Sequence, residues 1–310
     1  MKIVVYGIGG VGGYFGGKLA QTDHHTTFIA RGKHLETIKT NGLHVKSIDG
    51  DFVAQPAVAT DNVLEVEHPD LILLAVKSWQ LAAVAQHIKP VIMPKTMVLP
   101  LQNGAENTDT LLKILHKENV LVGLCRIFSF IAAPGEIYHK AAKPQVLFGE
   151  PDNRKTSRIQ ALKAIFDAAG FDNRIPEDIH LEVWRKFLFI ATVSGIGALT
   201  RIPIGETRFD PYIRNLMLQT AEEIKAVANA KGISLTAADI ETTFAFTDRQ
   251  APESTASMQR DIMEGKPSEL ESFNGYIVRE GRKHGIPTPV NEYIYRCLLP
   301  MENKARAYTK

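Results

Sequence analysis

Three glycines in the pattern Gly7-x-Gly9-x-x-Gly12 follow the apolar run Ile3-Val4-Val5-Tyr6 and precede a helical stretch from Tyr14 to Gln21. Strand, glycine-rich turn and helix in that order make a phosphate cradle. The first glycine allows the tight turn, the second lets backbone N–H groups approach a pyrophosphate, and the third lets the helix pack on the strand. The helix N-terminus adds partial positive charge. Gly7, Gly9, Gly10, Val11 and Gly12 are therefore candidate dinucleotide contacts. Which dinucleotide is read at the end of the second strand, Thr26 to Ala30. An acid at that point would bind a ribose 2′-hydroxyl, but the chain continues Arg31-Gly32-Lys33. An acid would repel a 2′-phosphate, whereas a guanidinium grips it with a bidentate fork. The expected cofactor is NADPH, with Arg31 on its 2′-phosphate and Lys33 a candidate second cation. Lys77 and Asn103 each follow an apolar run, Leu71 to Val76 and Thr96 to Leu101. Strand carboxyl ends are the ligand edge of an open α/β sheet, so both are placed for cofactor or substrate. Loop capping is the alternative role for Asn103.

Positioning these residues requires an alternating strand and helix framework, and the first half of the chain supplies its pattern. A helical stretch from Lys33 to Thr40 ends at Asn41-Gly42. Asp49-Gly50 separates Leu43 to Ile48 from Phe52 to Val58, which predicts a hairpin. Val120 to Leu124, Phe128 to Ile131, Ile137 to His139 and Val146 to Phe148 read as further, antiparallel strands, and Ser157 to Ala169 as a closing helix. Ile175-Pro176-Glu177-Asp178 marks a boundary, because proline and acids suit a helix start. Beyond it the strand signals stop. Helical patterns run over 179–199, 212–231, 237–246, 269–284 and 291–306, separated by glycine and proline breaks. The expectation is an α/β fold: a Rossmann-type doubly wound domain over 1–175 and an all-helical domain over 176–310.

Composition narrows the function classes. The 310 residues are 45% apolar and 23% charged with a formal net charge of +2, the balance of a globular protein. No basic run interleaved with aromatics supports nucleic-acid binding. No apolar segment reads as long and uncharged enough to span a bilayer, and the N-terminus lacks the apolar stretch of a signal peptide. Two distant cysteines, Cys125 and Cys297, suit the cytoplasm. The ten histidines form no metal-binding spacing, so no metal is expected. A homodimer through the helical half is an arrangement the sequence leaves open.

Taken together, Gly7 to Gly12, Ile29-Ala30-Arg31-Gly32, Val76-Lys77-Ser78-Trp79-Gln80 and Leu101-Gln102-Asn103-Gly104 resemble the ketopantoate reductase family. So do Trp184-Arg185-Lys186, Ser257-Met258-x-x-Asp261, and Glu269 through Asn274-Gly275. The resemblance covers nearly the whole chain in order. It implies NADPH-dependent reduction of a 2-oxo acid, ketopantoate to pantoate for coenzyme A. It also implies a helical domain similar to that of 6-phosphogluconate dehydrogenase, with the active site in a cleft between domains. By position it assigns Arg31, Lys77 and Gln80 to the 2′-phosphate, Asn103 to nicotinamide and substrate, and Lys186 to proton donation. Ser257 matches a substrate-binding serine, and Glu269 an acid near the reacting centre and the nicotinamide ribose. The chemistry agrees, because hydride addition to a ketone develops alkoxide charge that a lysine ammonium can meet and protonate.

Two positions depart from the family pattern. Where the family commonly carries asparagines, one and two helical turns after the lysine, this chain has Ile190 and Ser194. Helical spacing keeps both on the Lys186 face. Ser194 can still hydrogen-bond a substrate with shorter reach, whereas Ile190 cannot. Three readings stay open: ketopantoate reduction in a modified pocket, reduction of a more apolar 2-oxo acid or ketone, and a catalytically silent NADPH-binding protein. Capping-box spacing at Ser268-x-x-Glu271 also predicts that Glu269 sits in a helix first turn.

Overall fold

β1 (Lys2–Tyr6) divides its side chains between two apolar clusters, Ile3 and Val5 with Phe15 and Phe28, Val4 and Tyr6 with Ile72 and Leu74. A strand buried on both faces belongs at the centre of a covered parallel sheet. In this computed structural model, which describes residues 1–307, that is its place. β2 (His25–Ile29), β5 (Val58–Thr60), β6 (Leu71–Leu74) and β7 (Met97–Pro100) complete a sheet of order β5-β2-β1-β6-β7, every pairing parallel. Phe15 and Leu19 of α1 (Gly10–Ala20) and Leu162 and Phe166 of α5 (Ser157–Ala168) cover one face. Leu81 and Val84 of α3 (Leu81–Ile88) and Leu111 of α4 (Asn107–Leu112) cover the other. The order reverses between β1 and β6, and the carboxyl ends of those two strands form the crevice where such sheets take ligands.

A second sheet, β10-β9-β3-β4 with β8 also on β9, is built from β3 (Leu43–Ser47), β4 (Phe52–Ala54), β8 (Val122–Ala133), β9 (Glu136–Gly149) and β10 (Asp172–Arg174). The expected hairpin at Asp49-Gly50 forms as β3 and β4. The run to Val58 does not continue it, because Pro56 lacks an N–H, and Val58 instead starts β5 on β2. The four short runs after Val120 merge into the two long antiparallel strands β8 and β9. Lys140 and Lys143 in the middle of β9 hid its continuity. β10 was not legible as a strand, since Asp172-Asn173-Arg174 has no apolar residue. Helix α1 starts at Gly10 rather than Tyr14. The Gly13 N–H to Gly9 carbonyl bond of 2.7 Å closes its first turn despite the poor helix propensity of glycine.

The chain folds as two compact units, residues 1–103 with 107–179, and residues 104–106 with those from 180 onward. The second is helical: α6 (Ile179–Thr200), α7 (Ile204–Thr207), α8 (Pro211–Ala230), α9 (Ala237–Asp248), α10 (Ser257–Met263), α11 (Tyr276–His284) and α12 (Pro289–Ala307). Its core joins Trp184, Phe187 and Leu188 of α6 to Ile224, Phe273, Ile277 and Leu298. The pattern over 269–284 resolves into a π-helical turn, Glu271–Gly275, followed by α11, while α7 and α10 were too short to stand out in the sequence. One expectation needs correction. α6 is long and apolar enough to cross a membrane by length and composition, because its charges are confined to its first turns and Phe187 to Thr200 carries none. Of its most apolar window, 56% is buried within the protein.

Candidate active site

At the crevice beyond β1 and β6 lies a cavity of about 250 Å³ lined by Gly7, Gly9, Arg31, His34, Gln80 and Ile131, among others. Gly7 holds φ +94°, and a Cβ there would meet Val76 Cγ1 at 2.8 Å. A Cβ at position 12 would lie 2.0 Å from the Gly7 carbonyl oxygen, so Gly12 is what lets α1 sit against the loop. Gly10 backs onto β8, where a Cβ would fall 2.2 Å from the Ser129 carbonyl oxygen. The reason for glycine at position 10 is therefore this strand, whatever its N–H binds. Val11, in the same helical turn, packs partly against the first core. At Gly9 a Cβ would meet nothing within 4 Å, so the loop backbone is open on that side. No side chain caps α1 and no acid occupies its first turn, which leaves its N-terminal N–H groups available to an anion.

Arg31 caps α2 (Gly32–Asn41) in extended conformation, and its exposed guanidinium has no carboxylate partner among the described residues. Gln80 shares the cavity with it, while Lys33 and Lys77 do not line it. Lys77 opens the turn Ser78–Gln80, its N–H donates to Gln80 Oε1 at 3.2 Å, and its ammonium lies 5.5 Å from the Trp79 ring centre. Glycine open to the cavity, an arginine with no acid beside it and an uncapped helix start all fit the phosphates of a dinucleotide. Asn103 follows β7, and its carbonyl accepts from Asn107 Nδ2 at 3.3 Å, a bond that shapes the turn beside it. Two neighbours escaped the sequence reading. Gln102 is 6% exposed with both amide atoms unpartnered, and His34 lines the cavity. A polar residue beside a candidate ligand residue was the signal for Gln102. For His34 it was the spacing of one turn from Arg31.

In the helical unit, α6 sorts its basic pair by face. Arg185 donates to Asp239 at 2.7 Å and to Glu182 at 3.2 Å, whereas Lys186 lies on a partly buried face. Ile190 packs partly against the helical core and Ser194 is 2% exposed. Ser257 is the first residue of α10, held by the buried Met258 and Gln259 beside it. Gln259 Nε2 donates to the Ile202 carbonyl at 2.9 Å, and Gly197 of α6 gives its side chain room. Glu269 is 4% exposed, between two fully buried residues, Ser268 and Leu270.

The expected Ser268–Glu271 capping box does not form. Ser268 gives its N–H and hydroxyl to the buried carboxylate of Glu302, with the hydroxyl at 2.5 Å, and Arg306 pairs with that carboxylate at 2.7 Å. Glu271 instead takes Arg279 at 2.7 Å and the hydroxyl of Tyr295. Burial first, then the Glu271 carboxylate, push the Tyr295 phenol up to about 12. The residue before Glu269 is thus anchored by Glu302, 34 residues further along the chain. Replacing Glu302 by Gln weakens three charge-assisted bonds, and urea unfolding should show a loss of about 1.5 kcal/mol. An unchanged midpoint would remove Glu302 as the anchor of this turn. Among the described residues no group of three or more His, Cys, Asp or Glu is placed to hold a metal ion.

The family model described as Ketopantoate reductase PanE/ApbA matches residues 3–153, and its C-terminal counterpart matches residues 178–302. The chain belongs to the ketopantoate reductase family. Among similar proteins, an uncharacterized oxidoreductase YkpB of Bacillus subtilis (strain 168) is 32% identical over 302 residues, 97% of this chain and 99% of that protein. A 2-dehydropantoate 2-reductase of Nostoc sp. is 27% identical, covering 98% of this chain and 96% of its own. A crystal structure of a PanE/ApbA family ketopantoate reductase from Ralstonia eutropha JMP134 superposes with a TM-score of 0.90 at 30% identity, covering 99% of this chain and 100% of that one. The ketopantoate reductase family accounts for both halves of the fold, the parallel sheet with its glycine loop and the helical unit with Lys186.

Proposed function

We propose that the chain reduces a 2-oxo acid to the 2-hydroxy acid with NADPH, acting on 2-dehydropantoate in the cytoplasm. The observation that carries the cofactor is Arg31, a cavity-lining guanidinium with no carboxylate partner among the described residues, where an acid would select NAD. Bound NADPH supplies the hydride. The chain's part begins with the N–H groups of the glycine loop and α1, which hold the diphosphate, while Arg31 and Gln80 take the 2′-phosphate. Lys77 braces Gln80 through its backbone N–H. Asn103 and Glu269 orient substrate and nicotinamide ribose, and the hydroxyls of Ser257 and Ser194 bind substrate oxygens. As the substrate carbon gains its new C–H bond, Lys186 donates a proton to the carbonyl oxygen and recovers one from solvent. The names of relatives such as the Nostoc protein support 2-dehydropantoate as substrate. Free thiols at Cys125 and Cys297 suit a reducing compartment. Loss of NADPH absorbance over a panel of 2-oxo acids tests the reading. Turnover of none of them would reject it.

Ile190 favours a second reading, a more apolar 2-oxo acid, because it puts a hydrocarbon one turn from Lys186. Ile190→Asn should raise kcat/KM for 2-dehydropantoate about tenfold relative to an unfunctionalised branched 2-oxo acid, by adding a donor for the substrate hydroxyl. A ratio that stays put excludes Ile190 from the pocket.

A further inference from the structure

Ile131 of β8 lines the same cavity as the glycine loop, Arg31 and Gln80, although β8 belongs to the second sheet. Of the other apolar side chains in that lining, Tyr6, Ile8, Ile29, Ala30 and Val84 are buried in the two cores of this unit and Val76 is partly buried. Ile131 is 47% exposed. Its direction is set by the ladder. Ile131 pairs with Ile137 across β8 and β9, and cross-strand partners share a face. Ile137 is fully buried beside α1, where a Cβ on Gly13 would fall 2.5 Å from its Cγ1. The next pair along, Phe130 with Tyr138, must then point to the opposite face, and their rings meet there edge to face at 5.6 Å. Two residues before Ile131, the Ser129 carbonyl lies against Gly10. The β8–β9 ribbon therefore seats on the glycine turn and shows it an aliphatic face, with its aromatic pair turned away.

We infer that Ile131 is an apolar contact for the adenine of the dinucleotide, a wall that β8 adds to the cavity of the parallel sheet. Arg31 and Gln80 share the lining and are the groups assigned to the 2′-phosphate, so this cavity takes the adenosine half. The ribose and phosphates of that half are hydrogen-bonding groups. Adenine is the part with flat apolar faces that a hydrocarbon side chain can cover. Ile131 is half withdrawn from water already and gives up the remainder when the base lies against it, which favours binding in proportion to the area covered. Ligand cavities commonly combine an apolar wall with a few placed polar groups in this way. The contact is uncharged and non-directional, and adenine is common to both cofactors, so it adds affinity without distinguishing NADPH from NADH. Selection between them stays with Arg31.

The assignment rests on the dinucleotide reading above, and its test separates the two. Valine and threonine have the same shape and both suit a strand, so Ile131→Val and Ile131→Thr differ in polarity. Ile131→Ala and Ile131→Thr should each raise the Kd of NADPH and of NADH by the same factor, about fivefold, in fluorescence titrations. Ile131→Val should bind both within about twofold of the unsubstituted protein. Adenosine 2′,5′-bisphosphate carries the adenosine half without the nicotinamide, and by calorimetry its Kd should rise in the Ala variant as much as that of NADPH. The Val and Thr variants also serve as the folded pair if the Ala variant is unstable. Equal binding by the Val and Thr variants, a loss for NADPH alone, or an unchanged Kd for the bisphosphate would each overturn the adenine contact while leaving the dinucleotide reading intact. Binding of neither dinucleotide by the unsubstituted protein would overturn both together.

Discussion

Lys186→Ala should lower turnover about a thousandfold at saturating cofactor, while the Kd of NADPH moves less than threefold. The size follows from the work assigned to the ammonium, which meets the developing alkoxide and delivers its proton, and general acid catalysis of this kind contributes two to four orders of magnitude. The asymmetry follows from the residues: the glycine loop, Arg31 and Gln80 proposed to bind the cofactor belong to the first unit, and α6 to the second. The neighbouring Arg185 is committed to Asp239 and Glu182, and a guanidinium stays protonated at neutral pH, so it does not stand in. Lys186→Arg keeps the charge without the transferable proton and should recover only a small part of the rate. Stopped-flow measurement of NADPH oxidation, with thermal unfolding as a control for folding, checks the prediction. Turnover within tenfold of the unsubstituted protein would take Lys186 out of the mechanism.

How much of this was legible in the sequence depends on how local each signal is. The β1 strand, glycine loop and α1 are contiguous, so motif and periodicity together placed the cradle, although the helix began four residues earlier than its apolar pattern. Arg31 could be placed for the same reason, as the residue after the next strand, where it lines the cavity. Lys186, Ser257 and Glu269 were singled out only through family resemblance, because nothing in their own segments distinguishes them from surface residues. Where a side chain answers to a distant partner, local rules failed. Ser268 has the spacing of a capping residue, yet Glu302 takes its hydroxyl. His34 looks like an ordinary residue of α2 until Gly135, 101 residues later, fixes its tautomer. Long-range pairing likewise hid β10, which is a strand only because β9 supplies its hydrogen bonds.

Arg31→Ala should weaken NADPH binding about thirtyfold, roughly 2 kcal/mol, and leave NADH within twofold. NADH lacks the 2′-phosphate and offers the guanidinium no anion, so its binding falls to the glycine loop and the α1 N-terminus. The loss for NADPH should be largest at low ionic strength, because Arg31 is exposed and added salt screens the interaction it makes. Gln80 shares the cavity and sets how much affinity survives. Gln80→Ala alone removes a neutral donor and should cost less than Arg31→Ala, and the double variant should show less than the sum of the two losses if both grip one phosphate. Replacing Arg31 with Asp goes further. A carboxylate would repel the 2′-phosphate and accept from the ribose 2′-hydroxyl of NADH, so the preference should invert rather than merely fade. Equal losses for NADPH and NADH in the alanine variant would mean that Arg31 touches a part common to both, and the case for NADPH would fall with it.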